Sequence, residues 1–432
     1  MQYDFYCNLP SKKTVSQPLA ILQGTDYHGG RHVLPLEDIS LLCVGAAGSG
    51  KTCFIQNILP QTIQRAHSIH IIFDPKGDYL KKFYKDGDCI LSLKDLPNYP
   101  ASAQPKWHLL KDMCLYEAHP EEQIREIAKT LFQEAIEGNQ SNPYFPIAAC
   151  NLFSALMIAM CRQYADRLPS TRAAIQKIRS MSIGEMLNAT NQYADLASTK
   201  QLIGSEAPQT VSGVLGEFIN VLQESFQGNF CGEGTFSLRE FIRHGGIGRK
   251  LFIEYQFDTK RSAETIIRIM LDLLMKEALT GKSEAERIYF YLDEFPQLPG
   301  KLTYLSDLVN FGRQAGVRVI SGIQSVAQLY ASWGEKEANA LLAGFINNIC
   351  FFCNDADSRE YFSKHAGEAN LPITKMNPDF TIYTAIERQP LVPSYVLTQL
   401  SVGDAVVFER KDENEKTNQH PYWIHFDKEW IV

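Results

Sequence analysis

Residues 45 to 52 read Gly45-Ala46-Ala47-Gly48-Ser49-Gly50-Lys51-Thr52, and they follow the apolar run Ile39-Ser40-Leu41-Leu42-Cys43-Val44. A buried strand that breaks into a glycine-rich loop and then a helix leaves little choice of fold. The glycines let the backbone curl with its N–H groups pointing inward, and the helix starting near Lys51 turns its positive dipole end to the same point. This pattern is a P-loop, in which Lys51 reaches the outer phosphates of a nucleoside triphosphate and Thr52 holds Mg²⁺. Gly45, Ala46, Ala47, Gly48, Ser49, Gly50, Lys51, Thr52 and Cys53 form the expected nucleotide-binding segment, with ATP and Mg²⁺ as its ligands.

The rest of the chain repeats the strand and helix theme. Ser68 to Phe73 is a second β-rich run, halted by Asp74-Pro75-Lys76-Gly77-Asp78. Strand, helix, strand implies a parallel sheet. The P-loop helix is expected to stop at Pro60, since proline lacks the donor that a helix interior needs. From Pro120 the period changes: Ile124, Ile127, Leu131, Phe132 and Ile136, then Leu152, Leu156 and Met160, recur at helical spacing. Strand character returns at Lys250 to Tyr255, at Arg287 to Leu292 and at Val317 to Ile323, with a buried helix over Thr265 to Ala278. One helix is expected from Ser325 to Ile346, then a strand through Cys350. Residues 1–38 read as short strands or a loop, and Arg410 to Lys416 as a solvated hairpin. The fold class is α/β: a nucleotide-binding domain with a mainly parallel central sheet (residues 1–117 and 233–432) interrupted by an all-α domain (residues 118–232).

Ligands of open parallel sheets bind beyond the carboxyl ends of the strands. Four polar groups besides the P-loop end or follow apolar runs here: Asp74, Asp293, Glu294 and Gln324. Asp293 has the placement to hold Mg²⁺ with Thr52, and Glu294 to accept a proton from the attacking water. Gln324 is placed to sense the terminal phosphate. Asp74 sits in a turn sequence that any protein can use. Arg313, in Asn310-Phe311-Gly312-Arg313-Gln314-Ala315-Gly316, does not easily reach its own P-loop but in a ring would reach a neighbour's γ-phosphate. Lys51, Asp293, Glu294, Gln324 and Arg313 are therefore the candidate catalytic set, and Thr52 and Asp293 the metal ligands.

Hydrophobic content of 45% with 21% charged residues excludes a disordered or fibrous chain. A net charge of −7 excludes tight nucleic-acid binding by bulk electrostatics and leaves only local patches such as Lys81, Lys82 and Lys85, or Arg249 and Lys250. Ten scattered cysteines without a secretion signal argue for a reducing compartment. Cys350 and Cys353 lie in a run that reads as a strand, which would point their side chains to opposite faces. The longest apolar stretch, Leu152 to Cys161, is about half of the roughly twenty residues that a membrane span needs.

These pieces together resemble the coupling ATPases of conjugation and type IV secretion, the TraD/TraG-like family within the FtsK/HerA group of ring translocases. The carriers are the P-loop, Phe73-Asp74-Pro75-Lys76-Gly77-Asp78, Asn142-Pro143-Tyr144-Phe145, Leu292-Asp293-Glu294-Phe295-Pro296, Gly312-Arg313, Ile323-Gln324-Ser325-Val326-Ala327-Gln328-Leu329 and Arg388-Gln389-Pro390-Leu391-Val392-Pro393. The resemblance implies a RecA-like motor domain with an all-α domain, a hexameric ring around a channel, and ATP hydrolysis that delivers DNA or a nucleoprotein to a secretion channel. It also implies that the residue matching Arg313 acts in trans. The family usually begins with transmembrane helices and none is legible here, so the expectation is a soluble, cytoplasmic member recruited to the inner face of the membrane by a separate anchor or channel subunit. A nucleotide-switched adapter that recruits proteins through its helical domain, and a packaging or segregation motor, are the alternatives.

Overall fold

Thirteen strands form among the residues that the computed structural model describes, which are 21–25, 31–35, 40–115, 119–139, 141–165, 167–204, 207–254, 260–408 and 421–426. They are β1 (Ile21–Thr25), β2 (Arg31–Pro35), β3 (Leu41–Val44), β4 (Ser68–Phe73), β5 (Cys89–Ser92), β6 (Lys250–Glu254), β7 (Arg287–Asp293), β8 (Val317–Ile323), β9 (Asn347–Cys350), β10 (Glu368–Met376), β11 (Ile382–Pro390), β12 (Asp404–Phe408) and β13 (Tyr422–Phe426). By packing, the chain divides into a unit of Met1–His70, Glu286–Lys301 and Leu305–Val432, and a unit of Ile71–Ala285 with Leu302–Tyr304. The expected hairpin at Arg410 to Lys416 lies outside the described residues.

In the first unit the strand order is β2-β1-β13-β12-β9-β3-β8-β7. The continuously buried strands β3, β8 and β9 take its parallel part, where both faces are covered. β3 runs parallel to β8 and to β9, and β7 parallel to β8. Val44 is level with both Ile323 and Cys350, so three strands end together. That shared edge is where the P-loop, Gln324 and Phe351 leave the sheet. The parallel part is flanked by an antiparallel one: β12 pairs with β9, β13 with β12, and β1 with both β13 and β2. β10 and β11 form a separate two-stranded ribbon.

Two helix expectations are corrected. The P-loop helix runs Lys51–Ile63 with Pro60 inside it. Side chains serve carbonyls of its last turns: Gln61 Nε2 donates to Asn57 O at 2.9 Å and Thr62 Oγ1 to Leu59 O at 3.0 Å. The helix expected over Ser325 to Ile346 is two, Val326–Trp333 and Glu335–Gly344, because Gly334 adopts φ 79° and ψ 148°, which no helix contains.

The second unit carries β4 beyond His70, with β6 and β5 in the order β4-β6-β5, and the long helices. β5 is too short and weakly patterned to read from sequence; it pairs in parallel with β6, Cys89 against Leu251. No strand occurs among the described residues from Pro120 to Cys231. Helices Pro120–Gly138, Tyr144–Gln163 and Pro208–Ser225 pack around Phe132, Phe153, Met157, Phe218 and Leu222, all fully buried. Each such side chain contributes about 2 kcal/mol of apolar burial. Tyr144–Gln163 is apolar and long enough to cross a membrane, a longer stretch than the ten residues legible in the sequence, yet 78% of its most apolar window is buried within the protein. Its all-round apolarity is that of a core helix. A disulfide joins Cys114 to Cys161, 47 residues apart, a pairing that the irregular spacing of the cysteines does not suggest.

Candidate functional site

The first turn of the P-loop is clamped on both sides by the ends of neighbouring strands. Gly45 N donates to Ile323 O at 3.2 Å and Ala46 N to Phe352 O at 2.7 Å. Gly48 and Gly50 hold φ values of 77° and 109°, a region that costs a side-chain-bearing residue about 1 kcal/mol or more. Gly50 caps the helix without any side-chain acceptor, so the first N–H groups of the helix, around Thr52 and Cys53, face outward from its positive end. Ser49 Oγ is buried with no hydrogen-bond partner. A β-carbon at Gly45 would lie 2.7 Å from Phe351 Cβ and 2.8 Å from Ser49 Oγ. The uncapped helix N-terminus and the unpartnered Ser49 hydroxyl form a cradle that a phosphate group fits.

Lys51 is 7% exposed and folds back over the loop, its Nζ donating to Ala46 O at 3.1 Å and to Gly45 O. Burial lowers its pKa, while the negative charges of Asp293 and Glu294 oppose that shift. The ammonium is thus held by two carbonyls that phosphate oxygens can replace, and it feels both acids from across the edge of the sheet.

Asp293 is the last residue of β7, 5% exposed, level with Gly322 of β8. A β-carbon on Gly322 would stand 2.6 Å from Asp293 Oδ1, so the glycine makes the space that this carboxylate occupies. Glu294 follows with φ 80° and ψ 48°, a left-handed conformation costing about 1–3 kcal/mol in a residue with a side chain. The turn is held by Gln297 N donating to Glu294 O at 2.7 Å and by buried Phe295, whose ring lies 5.9 Å from that of Trp333. Gln324 Nε2 donates to Glu294 Oε2 at 2.9 Å. The structure therefore brings Lys51, Asp293, Glu294 and Gln324 to one edge.

Arg313 does not join them. It is exposed in the 3₁₀ turn Gly312–Ala315, which leads into the start of β8, whereas the P-loop lies beyond the end of that strand. Seven residues of strand separate the two ends by about 20 Å. Asp74 is a turn staple in the second unit: its Oδ1 accepts from Asp78 N at 3.0 Å and its Oδ2 from Leu80 N at 2.7 Å. Burial pushes its pKa up to about 6. Of the basic patches, Lys250 is buried in an ion pair with Asp88 at 2.8 Å, which removes it from any surface channel. Among the described residues no cluster of three metal-ligating side chains exists. Mg²⁺ bound with a nucleotide needs only one or two protein ligands, and a hydroxyl such as that of Thr52 and a carboxylate such as that of Asp293 are oxygen donors of the kind it takes.

Sequence reasoning missed Gly322 and the segment Phe351-Phe352. A glycine inside a strand marks a close approach of another group, so Gly322 carried a usable signal. The carbonyl of Phe352 carried none, because a backbone contact leaves no trace in residue type.

A family model described as the type IV secretion-system coupling protein DNA-binding domain matches residues 33–385. Among curated proteins, the coupling protein TraD of Escherichia coli (strain K12) is 25% identical over 323 residues, 73% of this chain and 42% of that protein. The chain thus spans less than half the length of this relative. Among solved structures, the bacterial conjugative coupling protein TrwBdeltaN70 in an unbound form superimposes with a TM-score of 0.69 at 21% identity, covering 91% of this chain and 86% of that one. The plasmid coupling protein TrwB in complex with ADP and Mg²⁺ gives 0.66 at 21% identity, covering 91% and 87%. These likenesses show the RecA-like fold with its all-α domain.

Proposed function

This chain belongs to the family of type IV secretion-system coupling proteins, and from that premise we propose that it is an ATP-hydrolysing translocase that delivers DNA or a nucleoprotein to a conjugation or secretion channel. The observation that carries the reading is the convergence of Lys51, Asp293, Glu294 and Gln324 on one sheet edge while Arg313 stands about 20 Å away at the other end of β8. The relatives support the ligands, since TrwB has been solved with ADP and Mg²⁺.

In this mechanism the P-loop N–H groups and Ser49 Oγ bind the phosphates, and Lys51 exchanges its two carbonyl partners for outer phosphate oxygens. The Thr52 hydroxyl and the Asp293 carboxylate hold Mg²⁺, which supplies positive charge where the reaction builds negative charge. Glu294 accepts a proton from water at Oε1 or Oε2, and Gln324, bonded to Oε2, fixes that carboxylate and monitors the γ-phosphate. Arg313 of a neighbouring copy completes the charge, so the working form is a ring, a hexamer by resemblance. We place the all-α domain at residues 118–232, and the protein at the cytoplasmic face of the membrane beside a channel or anchor subunit. The test is ATP hydrolysis with and without single- and double-stranded DNA at low salt. Stimulation by either supports the translocase; none with any oligonucleotide overturns it.

A further inference from the structure

Cys350 and Cys353 are both fully buried, and their sulfurs lie 3.7 Å apart. An unbroken strand would have turned these side chains to opposite faces. The strand instead ends at Cys350: Phe351 N donates to Val44 O at 2.8 Å, and Cys353 N donates away from the ladder to Leu397 O at 3.0 Å. That bend brings the two thiols onto the same side. A disulfide needs a sulfur separation near 2.05 Å, so closure requires a movement of about 1.7 Å.

The two residues between them are the ones that touch the nucleotide loop. Phe352 O accepts from Ala46 N, and Phe351 Cβ sits where any β-carbon on Gly45 would have to go. Drawing Cys353 toward Cys350 tightens that loop and drags the Phe352 carbonyl with it. We propose that Cys350 and Cys353 form an oxidisable dithiol site whose closure to a disulfide distorts the first turn of the P-loop and weakens nucleotide binding. The oxidant class is a peroxide. One sulfur attacks the peroxide O–O bond and becomes a sulfenic acid, releasing one water; the second sulfur displaces the hydroxyl as a second water. The two thiols together lose two electrons and two protons, which the peroxide takes up. The effect on nucleotide rests on the function proposed above, whereas the chemistry of the pair does not.

The test uses the whole chain, reduced or treated with hydrogen peroxide. It combines a proteolytic map by mass with binding of a fluorescent ATP analogue. The peptide holding both residues is expected to lose the mass of two hydrogens, and Kd to rise about tenfold, as for one hydrogen bond to a charged group lost. Dithiothreitol restores both, and Cys353→Ser and Cys350→Ala each abolish both. Oxidation that spares Cys350 and Cys353, such as at Cys53 and Cys231, the partly exposed thiols among the described residues, overturns the dithiol site. Disulfide formation with unchanged Kd overturns the coupling. If the reduced protein binds no nucleotide, the nucleotide reading fails, and the peptide mass alone then decides for or against the dithiol.

Discussion

Replacing Gly322 by alanine tests the metal-holding role of Asp293 without touching Asp293. The added methyl would lie 2.6 Å from Asp293 Oδ1 and 3.2 Å from Ile55 Cδ1. Comfortable contact starts near 3.4 Å, so the carboxylate must retreat by about 0.8 Å. It can do so by rotating its own side chain, which limits the cost to folding to about 1 kcal/mol, the low end for overpacking. A misplacement of about 1 Å at a reacting centre costs roughly 10²-fold in rate. Gly322→Ala is therefore expected to lower kcat about 10²-fold and to raise the Mg²⁺ concentration for half-maximal hydrolysis, with Tm lower by only about 2–4 °C. The assay is steady-state phosphate release at saturating ATP across a Mg²⁺ series, beside a thermal melt. Gly184→Ala, whose methyl would meet nothing within 4 Å, is the matched control with unchanged kinetics. A Gly322→Ala protein with normal kcat and normal Mg²⁺ dependence would refute the assignment of Asp293.

Glu294→Gln keeps an acceptor for Gln324 and removes the base; it is expected to bind ATP normally while hydrolysis falls about 10²–10⁴-fold, read by nucleotide binding and phosphate release side by side. Lys51→Ala is expected to lose ATP binding itself, because the loop then has no side-chain cation, and equilibrium binding decides this directly. Asp272, pushed up to about 6 chiefly by burial, holds Thr303 N at 2.8 Å and Tyr304 N at 3.4 Å through the single atom Oδ1. Its folded pKa lies above the unfolded value of 3.8, so the folded state binds the proton more tightly and stability is lost as pH rises from about 4 to 6. Asp272→Asn keeps the acceptor without titrating, and its stability relative to wild type is expected to grow by up to about 3 kcal/mol over that range in urea melts, whereas a constant difference would contradict the assignment.

Much of the sheet was legible because its strands are rich in β-branched and aromatic residues: β4 and β8 fall on the residues expected. Asp293, Glu294 and Gln324 were legible because a polar residue ending an apolar strand has one natural place, the ligand edge of the sheet. What escaped depends on partners far along the chain. β5 has four residues, and β6 that pairs with it begins 158 positions later. Pro60 lies inside the helix Lys51–Ile63 although its missing donor argues for a stop there, so the local rule alone misplaces the helix end. The break at Gly334 and the approach of Cys353 to Cys350 are single-residue backbone choices, and one such choice reverses which face every following side chain takes. Arg313 was legible as a residue remote from its own P-loop, but its target is not a property of one chain.

That target is the central claim, and mixing two dead proteins tests it. Lys51→Ala disables the cradle and leaves Arg313 intact, while Arg313→Ala, expected to hydrolyse ATP about 10³-fold more slowly, leaves the cradle intact. Mixed in one solution with DNA present, they are expected to recover hydrolysis, greatest near equal amounts, because some interfaces then pair an intact cradle with an intact arginine. No recovery at any ratio under conditions where the wild type assembles, or full activity of Arg313→Ala alone, would contradict a site shared between subunits.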